Sequence, residues 1–198
     1  MQAALELQPA GTTDFDATDT RPSRGVLPRS TDPVDHVVLT VGSPFCMPLA
    51  DMDLAEARHH LGERLDMNLA AAIYSRDKVR PEGTRCSSVA RARATPRLGL
   101  TVASTLTTAL PALTANLALE LAPIRVNLIA AGFVDTPLSA SLLDDQLEAR
   151  REELRAALPV RRFVGPEDAA ALTTDIMCND AFAGATYDID GGEQLLAH

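Results

Sequence analysis

The sequence predicts an α/β fold, a doubly wound parallel sheet with helices on both faces. Three observations predict it. Short β-branched apolar runs at 34–41 (VDHVVLTV) and within 123–132 (PIRVNLIAAG) each end at a glycine turn, as buried parallel strands do. Segments of helical spacing separate the runs, so strand and helix alternate. At 198 residues and 46% hydrophobic, the chain can bury one core and is short for two, so one domain over 1–198 is expected.

The elements follow in order. After the first run and its turn (GSP), residues 53–79 place Leu54, Ala57, Leu61, Leu65, Leu69 and Ile73 at helical spacing, with Asp53 suited to the N-terminus. GTRCSSV (83–89) is weakly strand-like. A long helix is expected from Thr101 to Leu121, kinked at Pro111. The strand IRVN follows, then the turn GFVDTP and the amphipathic helix DDQLEARREELRAALP. A last helix opens at GPEDAAALTTDIM and leads to the strand ATYDID, closed by Gly191 and Gly192. Residues 1–33 fit less well. TTDFDATD is a candidate strand, but Pro22, Gly25, Pro28 and Pro33 stand where a crossover helix belongs, and proline inside a helix costs ~3 kcal/mol. A poorly structured segment is expected there, with a loop at 20–33.

Composition narrows the function. A net charge of -9 repels a phosphate backbone and no basic, aromatic-interleaved cluster offsets it, so no nucleic-acid partner is expected. The apolar runs are interrupted by Thr, Asn, Pro and Glu, and no basic-then-apolar leader opens the chain, so no membrane span and a cytoplasmic location are expected. Cys46, Cys86 and Cys178 are odd in number and far apart, which suits small buried hydrophobes rather than disulfides or a metal knuckle. His59 and His60 are adjacent and project ~100° apart on a helix, so they do not share a metal, and no metal site is expected. Tyr74 and Lys78, the only lysine, share a helix face at i and i+4, the arrangement in which an ammonium lowers a phenol's pKa.

The motifs LALELAP, IRVN, DTPL and DIDGG, in this order and at these intervals, resemble the short-chain dehydrogenase/reductase family, whose members transfer hydride to and from NAD or NADP on a Rossmann fold. DHVVLTVG resembles the family's fourth strand and the turn after it, which includes Gly42. MNL at 67–69 resembles its mid-helix asparagine motif, and DFDATD its third strand. The resemblance implies a proton relay at Asn68 and a catalytic serine at Ser88, with Ser87 as the neighbouring choice. It implies cofactor contacts at Asp16, Gly42, Gly132 and Thr136. Each position also has a plainer reading: a helix kink at Asn68, a strand-end hydroxyl at Ser88, and an N-cap before Pro137 at Thr136.

Two departures qualify what the resemblance implies. The family's first strand, glycine-rich turn and second strand have no counterpart here, so the expected fold is a partial Rossmann-like sheet missing its first two strands, with one edge of 34–41 unpaired. Those strands are expected either to precede Met1 or to be lacking. Counting back from LALELAP, the family's Tyr-x-x-x-Lys pair falls on Ala103 and Thr107, which supply neither a proton donor nor a cation. Tyr74 and Lys78 lie on the preceding helix and read as a helix end or a subunit contact. The resulting expectation is a divergent member, weak or inactive as a dehydrogenase of small carbonyl or alcohol substrates, and homo-oligomeric. The alternative is a non-catalytic binding or scaffold protein that uses the family's helix-pair dimer surface, around 53–78 and 101–121.

Overall fold

The computed structural model describes residues 32–40, 45–90 and 98–196, with the side chains of 88–90 and 142 outside the description. Asp16, the candidate strand at 12–19, residues 20–31 of the expected loop and Gly42 lie outside the described residues. The described elements are β1 (Val34–Leu39), α1 (Leu54–Ser75), β2 (Val79–Ala90), α2 (Thr101–Glu120), β3 (Arg125–Ala131), α3 (Pro137–Leu143), α4 (Leu147–Ala157), α5 (Pro166–Cys178) and β4 (Thr186–Ile189). Single 3₁₀ turns cover Asp144–Gln146 and Glu193–Leu195. The four strands pair in parallel in the order β1-β2-β3-β4.

All seven residues of β3 are buried, as a central strand covered on both faces requires. Alternation sends Val126, Leu128 and Ala130 to one face, where they meet Leu110, Leu113, Leu117 and Leu121. Ile129 faces the other way and packs with Cys86 and Ile176 under α5. The sheet is therefore doubly wound, with α1 and α2 on one face and α5 on the other. Among the described residues β1 pairs only with β2, so it forms an edge of the sheet.

The structure corrects several expectations. Strand β1 is partly exposed rather than buried, with Asp35, His36 and Val38 exposed and Val34, Val37 and Leu39 half-buried, because among the described residues it has a neighbouring strand on one side only. Strand β2 begins four residues earlier than GTRCSSV. Its extra residues are taken up by a register shift, Val34 pairing with Val79 and His36 with Thr84. Pro81, which cannot donate to a ladder, sits in that irregular stretch. Gly83 closes it, since a Cβ there would stand 2.3 Å from the Asp35 carbonyl. Of the cysteines only Cys86 is buried; Cys46 and Cys178 are exposed.

The apolar stripe read on α1 also drifts. Steps of four residues advance about 40° beyond a full turn, so a run of them walks around the helix. Ala57 is buried, but Leu54, Leu69 and Ile73 are exposed, and Arg64, Met67, Asn68, Ala72 and Ser75 fill the inner face instead. Helix α2 runs continuously through Pro111. It is the one described helix long and apolar enough to cross a membrane by length and composition, and its Val102, Leu106, Leu110 and Leu117 are buried in the core.

At the N-terminus of α5, Asp168 accepts from both terminal nitrogens of Arg162 (2.5 and 2.9 Å) and from the Gly165 amide (2.9 Å). The Arg162 guanidinium first, then that amide, hold the carboxyl down at about 2, below the ordinary 3.8. A depressed carboxylate stabilises the fold in full above its unfolded pKa and loses that contribution as pH falls through the folded one. Equilibrium denaturation across a pH series should show Asp168→Asn less stable than wild type at neutral pH, the gap closing between about pH 4 and about pH 2. A gap that stays constant over that window would exclude Asp168 as its source.

Candidate functional site

In parallel α/β sheets, ligands bind beyond the carboxyl ends of the strands. At that end of β3 the chain turns at Gly132, whose amide donates to the Ile189 carbonyl (3.0 Å). A Cβ on Gly132 would stand 2.7 Å from the Asp190 Cβ and 2.9 Å from Glu193 Oε2, so only glycine admits the turn after β4 so close. Gly191 and Gly192, both at positive φ, carry that turn. Asp190 holds it by accepting from the amides of Gly192 (2.9 Å) and Gln194 (3.1 Å).

Thr136 is the N-cap of α3, accepting from the Ser139 amide at 3.2 Å, with Pro137 in the first turn. Ser139 gives its own proton to the Val134 carbonyl (2.5 Å), so in the 3.2 Å contact between the two hydroxyls Thr136 is the donor. The Thr136 hydroxyl thus has both a donor and an acceptor inside the cap. Gly132 and Thr136 lie in the one loop that follows β3, and each has a local structural role.

Asn68 lies on the buried face of α1 and is tied to β2. Its side-chain oxygen accepts from Ser87 Oγ (2.9 Å) and Arg85 Nη2 (3.3 Å), and its backbone carbonyl accepts from the same Nη2 (2.9 Å). Its amide nitrogen donates to the Arg64 carbonyl (3.0 Å). Arg85 is 1% exposed and stands in register with Val126, in an otherwise apolar layer. Burial lowers its pKa to about 10, so it stays charged at neutral pH, and its Nε has no hydrogen-bond partner. Sequence reasoning did not find Arg85. The signal available was one charged residue facing the core from a short strand.

Ser88 follows Ser87 on β2 and pairs with Ile129. The two positions counted back from LALELAP fall on the first two turns of α2. Ala103 is buried, and the Thr107 hydroxyl donates to the Ala103 carbonyl (2.7 Å). Tyr74 ends α1, and the Lys78 carbonyl receives the Val34 amide (2.8 Å) where β1 and β2 begin. That pair is therefore at the opposite edge of the sheet from Gly132 and Thr136. Among the described residues no group of three His, Cys, Asp or Glu could hold a metal ion.

A doubly wound parallel sheet with a glycine turn and a capped helix at its carboxyl edge is the architecture of nucleotide-dependent α/β proteins. Residues 34–194 match the family model described as enoyl-(acyl carrier protein) reductase. The chain belongs to the short-chain dehydrogenase/reductase family. It is 36% identical over 140 residues to dehydrogenase/reductase SDR family member 4 of Sus scrofa, across 65% of this chain and 49% of that protein. It is 32% identical over 105 residues to a 4-formylbenzenesulfonate dehydrogenase of Comamonas testosteroni, across 50% of this chain and 42% of that protein. The chain spans about half the length of the curated relatives it matches. In fold it is similar to a small-chain dehydrogenase solved in complex with NADPH, with a TM-score of 0.82 at 23% identity, covering 91% of this chain and 83% of that one. A similar likeness holds to the MalC reductase/Diels-Alderase of Malbranchea aurantiaca, with a TM-score of 0.78 at 23% identity over 85% of this chain and 66% of that one.

The Asn68 junction yields a test. Asn68→Leu removes the acceptors of a buried hydroxyl and part of those of a buried cation, and should cost about 2–4 kcal/mol in equilibrium denaturation. Adding Arg85→Met to that variant should recover part of the loss, because removing both partners is milder than stranding one. A single-variant loss below about 0.5 kcal/mol, the level of an ordinary surface substitution, would show that the junction holds nothing together.

Proposed function

We propose that this chain descends from nicotinamide-dependent oxidoreductases acting on small carbonyl or alcohol compounds, and that as given it has little or no dehydrogenase activity. The observation that carries this reading is α2: a buried alanine at 103 and a back-bonded threonine at 107 stand where the resemblance implies the tyrosine acid and the lysine that activates it. When bound, NAD or NADP would supply the hydride. What the described residues supply is positioning: Thr136 and Gly132 at the strand end, and Asn68 held by Arg85 and Ser87. Among the described residues, a proton donor of suitable pKa where the resemblance implies one is the missing part.

The purified protein, mixed with NADH or NADPH and a panel of aldehydes and ketones, should show no cofactor oxidation above background. Turnover that scales with protein concentration would overturn the reading. A melting temperature that rises with cofactor concentration but without turnover would favour a retained cofactor site over a scaffold.

The alternative, a non-catalytic binding or scaffold protein, is favoured by exposed apolar side chains on the helix pair. Leu69 and Ile73 lie one turn apart on α1, 41% and 65% exposed, and Leu119 on α2 is 81% exposed. On this reading the chain forms an oligomer in the cytoplasm through those helices. Light scattering after size exclusion should then give a dimer or larger, and Ile73→Glu with Leu119→Glu should shift it to monomer. A monomeric wild type would exclude the alternative.

A further inference from the structure

Helix α4 buries a single side chain, Leu154, so apolar packing does little to hold it. Two adjacent arginines provide other contacts. Arg150 Nη2 lies 2.6 Å from Glu193 Oε1, in the turn after β4, and both side chains are largely shielded, at 18% and 10% exposure. Arg151 grips Asp135 in the loop after β3, with Nη2 at 2.7 and 3.0 Å from its two oxygens and Nε at 3.2 Å. Glu193 does double duty, because its other oxygen accepts the Phe133 amide at 3.4 Å and would stand only 2.9 Å from a Cβ on Gly132.

We infer that Arg150 and Arg151 are positioning residues: α4 acts as an ionic latch that sets the conformation of the Gly132–Thr136 loop, Arg151 directly through Asp135 and Arg150 by orienting the Glu193 carboxylate. Partly buried, charge-assisted pairs of this kind are stronger and less salt-screened than surface ion pairs. The loop has little else of its own. Its remaining main-chain bonds to distant residues run from Gly132 to Ile189 and from Asp135 to Val164 (3.1 Å). The latch is independent of whether the chain turns over any substrate.

Amide hydrogen exchange on the whole protein tests it, comparing wild type with Arg150→Met, Arg150→Lys, Glu193→Gln and Arg151→Met. The Phe133 amide should exchange at least about tenfold faster in Arg150→Met, and the Asp135 amide likewise in Arg151→Met, the effect of losing one charge-assisted hydrogen bond. Unchanged Asp135 exchange in Arg151→Met would overturn the part assigned to Arg151. The Leu128 amide, bonded to Ala185 at 3.0 Å in the sheet, should not change. Arg150→Lys, which keeps the charge, and Glu193→Gln, which keeps an oxygen for the Phe133 amide, should each fall between these extremes. Unchanged loop exchange in Arg150→Met and Glu193→Gln would overturn the latch. So would acceleration of Leu128 in the same proportion, which would mean that the arginine supports the fold at large.

Discussion

A guanidinium cannot sit in a dry interior without acceptors, and the sheet carries two of them, Arg85 on β2 and Arg125 on β3. Arg85 lies on the α1/α2 face and Arg125 on the α5 face, 1% and 8% exposed. Among the described residues, neither is neutralised by a close, buried carboxylate. Arg125 gathers backbone carbonyls at the C-terminus of α5, from Ile176 (2.8 Å), Met177 (3.0 Å), Asn179 (3.1 Å) and Phe182 (3.2 Å), with the exposed Asp180 carboxylate 3.5 Å away. The Ile176 and Met177 carbonyls are orphan acceptors of the last helical turn, at the negative end of its dipole, and those of Asn179 and Phe182 follow just beyond it. Arg85 takes both oxygens of Asn68. A buried charge thus pins one helix to each face of the sheet, and the positions of α1 and α5 depend on those two contacts.

The same constraint governs the chemistry open to the site. The relay that the resemblance implies needs the oxygens of Asn68 available to a water and a nearby lysine. Here a cation from β2 occupies both oxygens, while a serine of the same strand takes a second bond to the side chain. Position 107, where the family's cation would stand, is a threonine bonded back to its own helix. The two changes are consistent with each other: positive charge reaches Asn68 from the strand and not from α2.

The parts of this fold that were legible in the sequence are those set by local rules. The buried run IRVNLIA, the glycine pair after DID and the N-cap at Thr136 follow from alternation, φ preference and hydroxyl geometry, each contained within a few residues. What was not legible depends on contacts distant in sequence. The inner face of α1 contains Arg64, Asn68 and Ser75, polar residues that a hydrophobic stripe cannot reveal; the partners of Asn68 and Ser75 lie on the adjacent turn or on β2. The early start of β2 needed the Gly83–Asp35 approach, which no strand propensity encodes. Arg85, Arg150 and Glu193 carry no local signal, because the fold brings together partners that lie 17 and 43 residues apart in sequence.

The two edges of the sheet also differ in what holds them. Tyr74, in the last turn of α1, and Lys78, just before β2, stand where the strands begin, an edge held mainly by backbone hydrogen bonds such as Val34 to Lys78 and Lys78 to Ser75, with the exposed Arg80–Asp35 pair outside them. The carboxyl edge carries Gly132, Thr136 and Asp190 and is held largely by side chains reaching across the fold: Arg150 to Glu193, Arg151 to Asp135 and, farther out, Arg155 over the Phe163 ring at 5.0 Å. Side-chain contacts of this kind can be made and broken without unfolding the ladder beneath them, whereas turn hydrogen bonds open together with their strands. In this chain the contacts of the first kind are concentrated at the carboxyl edge, the edge at which parallel α/β sheets in general bind their ligands.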